Sequence, residues 1–176
     1  MKDGFKLDME NIKQRAKEQM ERGAVTGTYA ADREAVVSVL NAVLATEIVC
    51  NLRYRNNSLV AEGIHAETVA REFREHAAEE QDHADRVAGR IAQLGGAPDM
   101  NPASLTARSH APYVTSESLQ QLIRENLVAE RVAVATYGAI VRWLGNDDPT
   151  TRRLMEDLLE KEEEHADDLA ALLPHP

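Results

Sequence analysis

Apolar side chains recur at helical spacing in the stretch that follows Asp32, most clearly at Val39, Leu40, Val43 and Leu44. This spacing places them on one face of an α-helix. N-cap residues at the starts of such stretches and glycines at their ends predict four long helices. The predicted helices run from Asp32 to Val60, from His65 to Leu94, from Ser116 to Leu144 and from Asp148 to Leu173.

The connections between these helices predict the topology. Only a few residues, around Gly63 and Gly145, separate the members of each outer pair, so each pair should be antiparallel. Segment 95–115 is longer and contains three prolines, and it can cross the whole length of a bundle. We therefore expect an all-α four-helix bundle whose second and third long helices run parallel after one long crossover.

A short polar helix is predicted at residues 8–22, within a solvated N-terminal arm. The expected domain organisation is an arm at 1–30 and a helical-bundle domain at 31–176. The most apolar stretch, 35–50, is interrupted by polar and charged residues, so no membrane association is expected.

Composition narrows the function classes. The chain of 176 residues has 30 acidic and 20 basic side chains and a net charge of -10. Because phosphate binding needs concentrated basic side chains, nucleic acid is not an expected partner. The single cysteine, Cys50, cannot form an internal disulfide, and we interpret it as a small packed apolar residue. With no apolar leader at the start, a cytoplasmic location is expected.

An internal repeat carries the candidate chemistry. Glu47 is followed seven residues later by Tyr54, and Glu130 is followed seven residues later by Tyr137. Both glutamates lie within apolar helical patterns, where an isolated carboxylate is costly unless it is paired or bound to a metal. An i, i+7 spacing returns each tyrosine to the helix face of its glutamate, two turns along.

The second element of the repeat is Glu-x-x-His. It occurs as Glu80 and His83 on the second long helix, and as Glu162 and His165 on the fourth. Residues at i and i+3 share a helix face. The distance from the first glutamate of each half to its Glu-x-x-His element is 33 residues in one half and 32 in the other.

Together the repeat predicts a dinuclear metal site. Four ionised glutamates contribute a charge of about -4, which two divalent cations would balance. Oxygen and nitrogen ligands without a thiolate favour iron or manganese over a structural zinc site. One Glu-x-x-His element alone would be weak evidence, whereas two elements and two apolar-face glutamates at matched spacing are much stronger.

These residues give the chain a resemblance to the ferritin-like di-iron carboxylate superfamily, and within it to bacterioferritins and Dps-like proteins. The resemblance covers about residues 35–172 and is carried by segments 80–86 and 159–165 and by Glu47 with Tyr54. It implies two iron ions per chain, with manganese as an alternative, and Tyr54 as a source of an electron or a hydrogen bond. Tyr137 is the weaker candidate for such a role, and a packed core tyrosine is an equal alternative for it. The implied ligands are Glu47 and His83 for one iron, Glu130 and His165 for the other, and Glu80 and Glu162 as bridges.

Three departures from bacterioferritins shape the expectation. Gln81 stands where bacterioferritins have a haem-ligating methionine, so haem is not expected. The chain ends at Pro176, 11 residues after His165, and segment 95–115 is longer than the bacterioferritin connection. These two features favour the Dps-like dodecameric cage over a 24-subunit cage. The cysteine pair of some Dps-like proteins is absent.

The function that the resemblance implies is oxidation of Fe(II) by O2 or H2O2, for iron storage or detoxification and oxidative-stress protection in a hollow homo-oligomer. One alternative is a manganese catalase-like or other non-storing di-metal enzyme. Another is a DNA-shielding Dps-like protein, which the net charge disfavours. His76, with Glu75 and Glu79 nearby, is interpreted as part of a solvated charged stripe, with an auxiliary iron site or access path as the alternative.

Overall fold

The computed structural model describes residues 5–64, 66–116 and 118–174, and within these ranges it contains helices and no strands. The helices are α1 (Met9–Glu18), α2 (Arg33–Val60), α3 (Ala66–Gln93), α4 (Leu105–Arg108), α5 (Leu119–Leu144) and α6 (Pro149–Ala171). Helices α2, α3, α5 and α6 are the four predicted long helices. His65, the predicted start of α3, lies outside the described residues.

Side-chain caps fix where the helices begin. Asp32 accepts hydrogen bonds from the Glu34 and Ala35 amides, and Asp148 accepts one from the Thr151 amide at 2.9 Å. The start predicted near Ser116 is wrong by a few residues, because Ser118 is the side chain that caps α5. Each cap satisfies an amide that has no partner within the helix.

Two apolar clusters establish the direction of each helix. One cluster joins the first half of α2 and the start of α6 to the ends of α3 and α5, and includes Leu40, Ile91, Leu144 and Met155. The other joins the opposite helix ends and includes Phe73. Helices α3 and α5 therefore run parallel, as the long connection predicted. Helix α2 packs mainly on α3, and α5 mainly on α6.

The crossover is packed along α2 rather than looping away from it. Arg108 donates to the carbonyls of Asn41 and Asp99 at 2.9 and 2.8 Å, and the His110 amide donates to the Thr46 hydroxyl at 2.9 Å. The four-residue helix α4 within this segment was not predicted from the sequence. The crossover contacts hold the α3–α5 connection against the bundle.

The end of the N-terminal arm contacts the bundle. Helix α1 has no buried residue, whereas Val25 and Tyr29 pack on the first apolar cluster. The Tyr29 hydroxyl donates to Asp148 at 2.7 Å, and Arg90 donates to the same carboxylate at 2.9 Å. The boundary at residue 30 stays a prediction.

Among the described residues, α2 is the one helix long and apolar enough to cross a membrane by length and composition. In its most apolar window, 56% of the residues are buried inside the protein. Core helices of soluble proteins pass the same test.

Candidate metal centre

The six predicted ligands converge in the middle of the bundle, between the two apolar clusters. Each long helix contributes at least one, because i, i+3 spacing directs Glu and His of α3 and of α6 to the same inner face. Every one of these side chains is buried, with no residue more than 2% exposed. They are Glu47 on α2, Glu80 and His83 on α3, Glu130 on α5, and Glu162 and His165 on α6.

These residues form two overlapping groups of potential ligands. One comprises Glu47, Glu80, His83 and Glu162, and the other replaces Glu47 and His83 by Glu130 and His165. Within each group, one ligand atom from every residue lies within 4.8 Å of the others. Glu80 and Glu162 belong to both groups, which is the arrangement expected of carboxylates that bridge two cations.

Each imidazole directs the same ring nitrogen into the cluster. His83 Nδ1 lies 3.2 Å from Glu47 Oε2 and 3.2 Å from Glu162 Oε1. His165 Nδ1 lies 3.7 Å from Glu80 Oε1 and 3.7 Å from Glu162 Oε2. The two rings are nearly parallel, with centroids 6.2 Å apart. The arrangement therefore has an approximate twofold repeat that matches the sequence repeat.

Two tyrosines donate hydrogen bonds to Glu47 and Glu130, the glutamates that each belong to a single ligand group. The Tyr54 hydroxyl on α2 donates to Glu130 on α5, and the Tyr137 hydroxyl on α5 donates to Glu47 on α2. Burial and the neighbouring carboxylates raise the pKa of both phenols well above the usual value, so both remain neutral donors. Tyr54 therefore lies beside the cluster. Tyr137 has the equivalent position on α5, although from the sequence a packed core tyrosine was an equal alternative for it.

Glu79 is a contributor that the sequence analysis did not identify. Its Oε2 lies 2.6 Å from His165 Nε2, across the α3–α6 interface. A carboxylate on the outer ring nitrogen keeps that nitrogen protonated and leaves Nδ1 as the ligand atom. The contact depends on the register between two helices, which no local spacing reveals.

The pKa values of the clustered residues are shifted in opposite directions. Burial and the nearby Glu162 raise the pKa of Glu80 and Glu130 well above the usual range. Although burial opposes it, the nearby imidazoles of His165 and His83 lower the pKa of Glu162. Burial likewise opposes charging of His83, but the nearby carboxylates of Glu162 and Glu47 raise the pKa of that imidazole to about 10. Without a metal, these shifts favour the protonated forms of Glu80, Glu130 and His83.

Four buried ligand atoms in the cluster have no hydrogen-bond partner: Glu80 Oε1, Glu130 Oε2, Glu162 Oε1 and His165 Nδ1. Unpaired buried carboxylate and imidazole atoms are costly in a folded protein. They are also the oxygen and nitrogen donors that bind iron or manganese. The residues present therefore fit a pair of divalent cations.

His76 is placed differently from its expectation. The side chain is 2% exposed and stacks on His165 with ring centroids 4.0 Å apart, so it is not part of a solvated stripe. Burial and the charge of His165 lower the pKa of His76 to about 3, so the ring is neutral. Glu75 and Glu79 are exposed, as a charged stripe would require.

Gln81 and Cys50, both singled out in the sequence, belong to neither of the two ligand groups. Gln81 is exposed and donates to Asp85 at 3.1 Å. Cys50 is buried with Ala111 and Ala129, and burial raises the pKa of its thiol. Cys50 is thus a packing residue.

A family model described as a ferritin-like domain matches residues 37–175. The chain belongs to the ferritin-like family. The family domain takes in all six clustered residues and both tyrosines. A comparison with curated proteins found no match.

Solved structures of other family members share this bundle. The bacterioferritin-related protein of Bacteroides fragilis, a dodecameric thioferritin, is 33% identical, with a TM-score of 0.77 over 81% of this chain and 86% of that one. A ferritin-like di-iron carboxylate protein from Bacillus anthracis is 23% identical, with a TM-score of 0.71 over 81% and 97%. Dps from Thermosynechococcus elongatus is 20% identical, with a TM-score of 0.78 over 81% and 92%. The last two likenesses concern the fold alone.

Proposed function

We propose that this protein is a ferroxidase that binds two Fe(II) ions per chain and oxidises them with O2 or H2O2. The observation that carries the proposal is the pair of overlapping ligand groups, which share Glu80 and Glu162 and are closed to solvent. Manganese satisfies the same donor set and is the alternative metal.

The ligand roles follow from which group each residue belongs to. Glu47 and His83 belong to one group only, so they would bind one iron, and Glu130 and His165 would bind the other. The irons are the substrate, and each gives up one electron. Two irons held side by side can therefore reduce one H2O2 to two hydroxides as both become Fe(III).

The chain's own residues prepare the site for this reaction. Tyr54 and Tyr137 fix the orientation of the two carboxylates that belong to single groups. Glu79 fixes the tautomer of His165. Burial excludes bulk water and strengthens the interaction of the carboxylates with a cation.

We further propose that the protein works as a hollow homo-oligomer that stores the Fe(III) product, with twelve subunits favoured. The Bacteroides fragilis relative, at 33% identity, is dodecameric. Large apolar side chains are also exposed on the outside of α2 and α5, with Leu52, Leu59, Val128 and Trp143 between 49% and 84% exposed. These side chains are available for apolar contacts between subunits.

The test compares Glu162→Gln with Glu163→Gln, its exposed neighbour. Stopped-flow oxidation of Fe(II) under air and with H2O2 should lose its fast phase in Glu162→Gln and keep it in Glu163→Gln, with unchanged helical circular dichroism in both. Fast oxidation in Glu162→Gln at the rate of the unmodified protein would refute the ferroxidase.

Mass in solution after iron loading tests storage separately. Twelve chains of 19.5 kDa correspond to about 234 kDa, and many irons per chain are expected in that particle. A smaller particle holding two manganese ions per chain and degrading H2O2 would instead identify a catalase-like enzyme.

A further inference from the structure

A second set of potential ligands lies beside the buried cluster. Glu72 and His76 are one turn apart on α3, and Asp168 faces them from α6. His76 Nε2 lies 3.5 Å from Glu72 Oε1 and 3.7 Å from Asp168 Oδ2. One ligand atom from each of the three residues lies within 4.8 Å of the others.

The buried imidazole distinguishes this set from an ordinary acidic surface patch. Both ring nitrogens of His76 are buried without a hydrogen-bond partner. A buried polar atom of this kind costs stability unless something binds it. The ring is held in place between the ring of Tyr54, at 5.2 Å, and that of His165, at 4.0 Å. Its Nε2 edge is thereby fixed toward the two carboxylates.

We propose that Glu72, His76 and Asp168 bind a third divalent transition-metal ion. One imidazole and two carboxylates suit borderline cations such as Fe(II), Co(II) or Zn(II) better than Ca²⁺ or Mg²⁺, which prefer oxygen ligands alone. The remaining coordination positions would be filled by water, because the Asp168 side chain is 55% exposed and that of Glu72 24%.

Glu72, His76 and Asp168 lie between the buried cluster and solvent. Asp168 is exposed and Glu72 is partly exposed, while the His76 ring stacks on the ring of His165, a member of the cluster. The third ion therefore binds between solvent and the buried ligands. Its binding does not depend on ferroxidase activity, since the two sets have no ligand in common.

The experiment counts metal ions per chain by anaerobic titration with Co(II), followed by visible absorption and elemental analysis of the intact oligomer. The unmodified protein should bind three Co(II) per chain. Asp168→Asn and His76→Gln should each bind two, whereas Asp167→Asn, a matched change at the exposed neighbour, should bind three. Anomalous scattering from Co(II)-soaked crystals should place the third ion against His76 Nε2.

Two results would overturn the third site. One is a stoichiometry of two in the unmodified protein, and the other is full Co(II) binding by both Asp168→Asn and His76→Gln. The Glu162→Gln variant tests the third site independently of the proposed ferroxidase activity. It should lose Co(II) from the buried cluster and keep the ion at His76.

Discussion

Loading the metal-free protein with divalent ions should release protons, up to four per chain at a pH where all four groups named below are protonated. The protons come from Glu80 and Glu130, whose pKa values are raised by burial and by Glu162. They come also from His83 and His165, whose pKa values are raised by nearby carboxylates despite burial. All four groups must lose their protons to become ligands.

The number of protons released determines how steeply the affinity for divalent ions changes with pH. Each proton released on binding makes the affinity about tenfold higher per pH unit, or about 1.4 kcal/mol. Four protons make the combined affinity for two ions about ten-thousandfold higher per pH unit in the range where all four groups are protonated. Affinity should rise with pH and flatten once the groups lose their protons without metal.

Isothermal titration calorimetry with Co(II) in two buffers of different ionisation heat measures the protons directly. The Asp168→Asn variant removes the site at His76 from the count. Glu162→Gln, which should no longer bind Co(II) at the buried cluster, should release far fewer protons per chain. A release near zero, or an affinity that does not change between pH 6 and pH 8, would refute the assignment of protons to the ligand positions.

The remaining predictions concern contacts around the site. Tyr54→Phe and Tyr137→Phe should each lower the free energy of unfolding of the metal-free protein by about 1–3 kcal/mol, because each removes a hydrogen-bond donor from a buried carboxylate. Urea denaturation measures this, and a stability equal to that of the unmodified protein would contradict it. Glu79→Ala should weaken Co(II) binding by about 10- to 100-fold in competition with a chelator, through loss of His165 orientation. Arg90→Met should lower the free energy of unfolding by about 3–5 kcal/mol, because it leaves Asp148 without its buried partner. The double variant with Asp148→Asn should recover much of that stability in thermal melts. An equally low melting temperature for the double variant would contradict that explanation.

The long helices and the ligand cluster could be predicted from the sequence because both follow from local spacing. Caps such as Asp32 and Asp148 mark helix starts within the chain itself. The two Glu-x-x-His elements need only the helical period to place their side chains on one face. The repeat between halves then related the two pairs of helices without any knowledge of their packing.

Most of the residues that were missed or misplaced depend on contacts between helices. His76 precedes Glu80 by four residues, which places it on the same helix face, so its burial could have been predicted from the sequence. The contact of Glu79 with His165 could not, because it depends on how α3 and α6 pack together. The equivalence of Tyr137 and Tyr54 likewise rests on hydrogen bonds that span 90 and 76 residues of sequence. Helix α4 forms in a segment that is ordered by Arg108 and its contacts with α2.

The uneven packing between helices has a consequence for how the chain folds. Helix α2 meets α3 extensively and α5 meets α6 extensively, whereas α2 meets α5, and α3 meets α6, far more sparsely. Contacts within each hairpin are close in sequence and should form fast, while the seam between hairpins requires closure of the long segment after α3. The seam is also where carboxylates from both hairpins face one another. We therefore expect docking of two preformed hairpins to limit the refolding rate, and bound divalent ions to slow their separation.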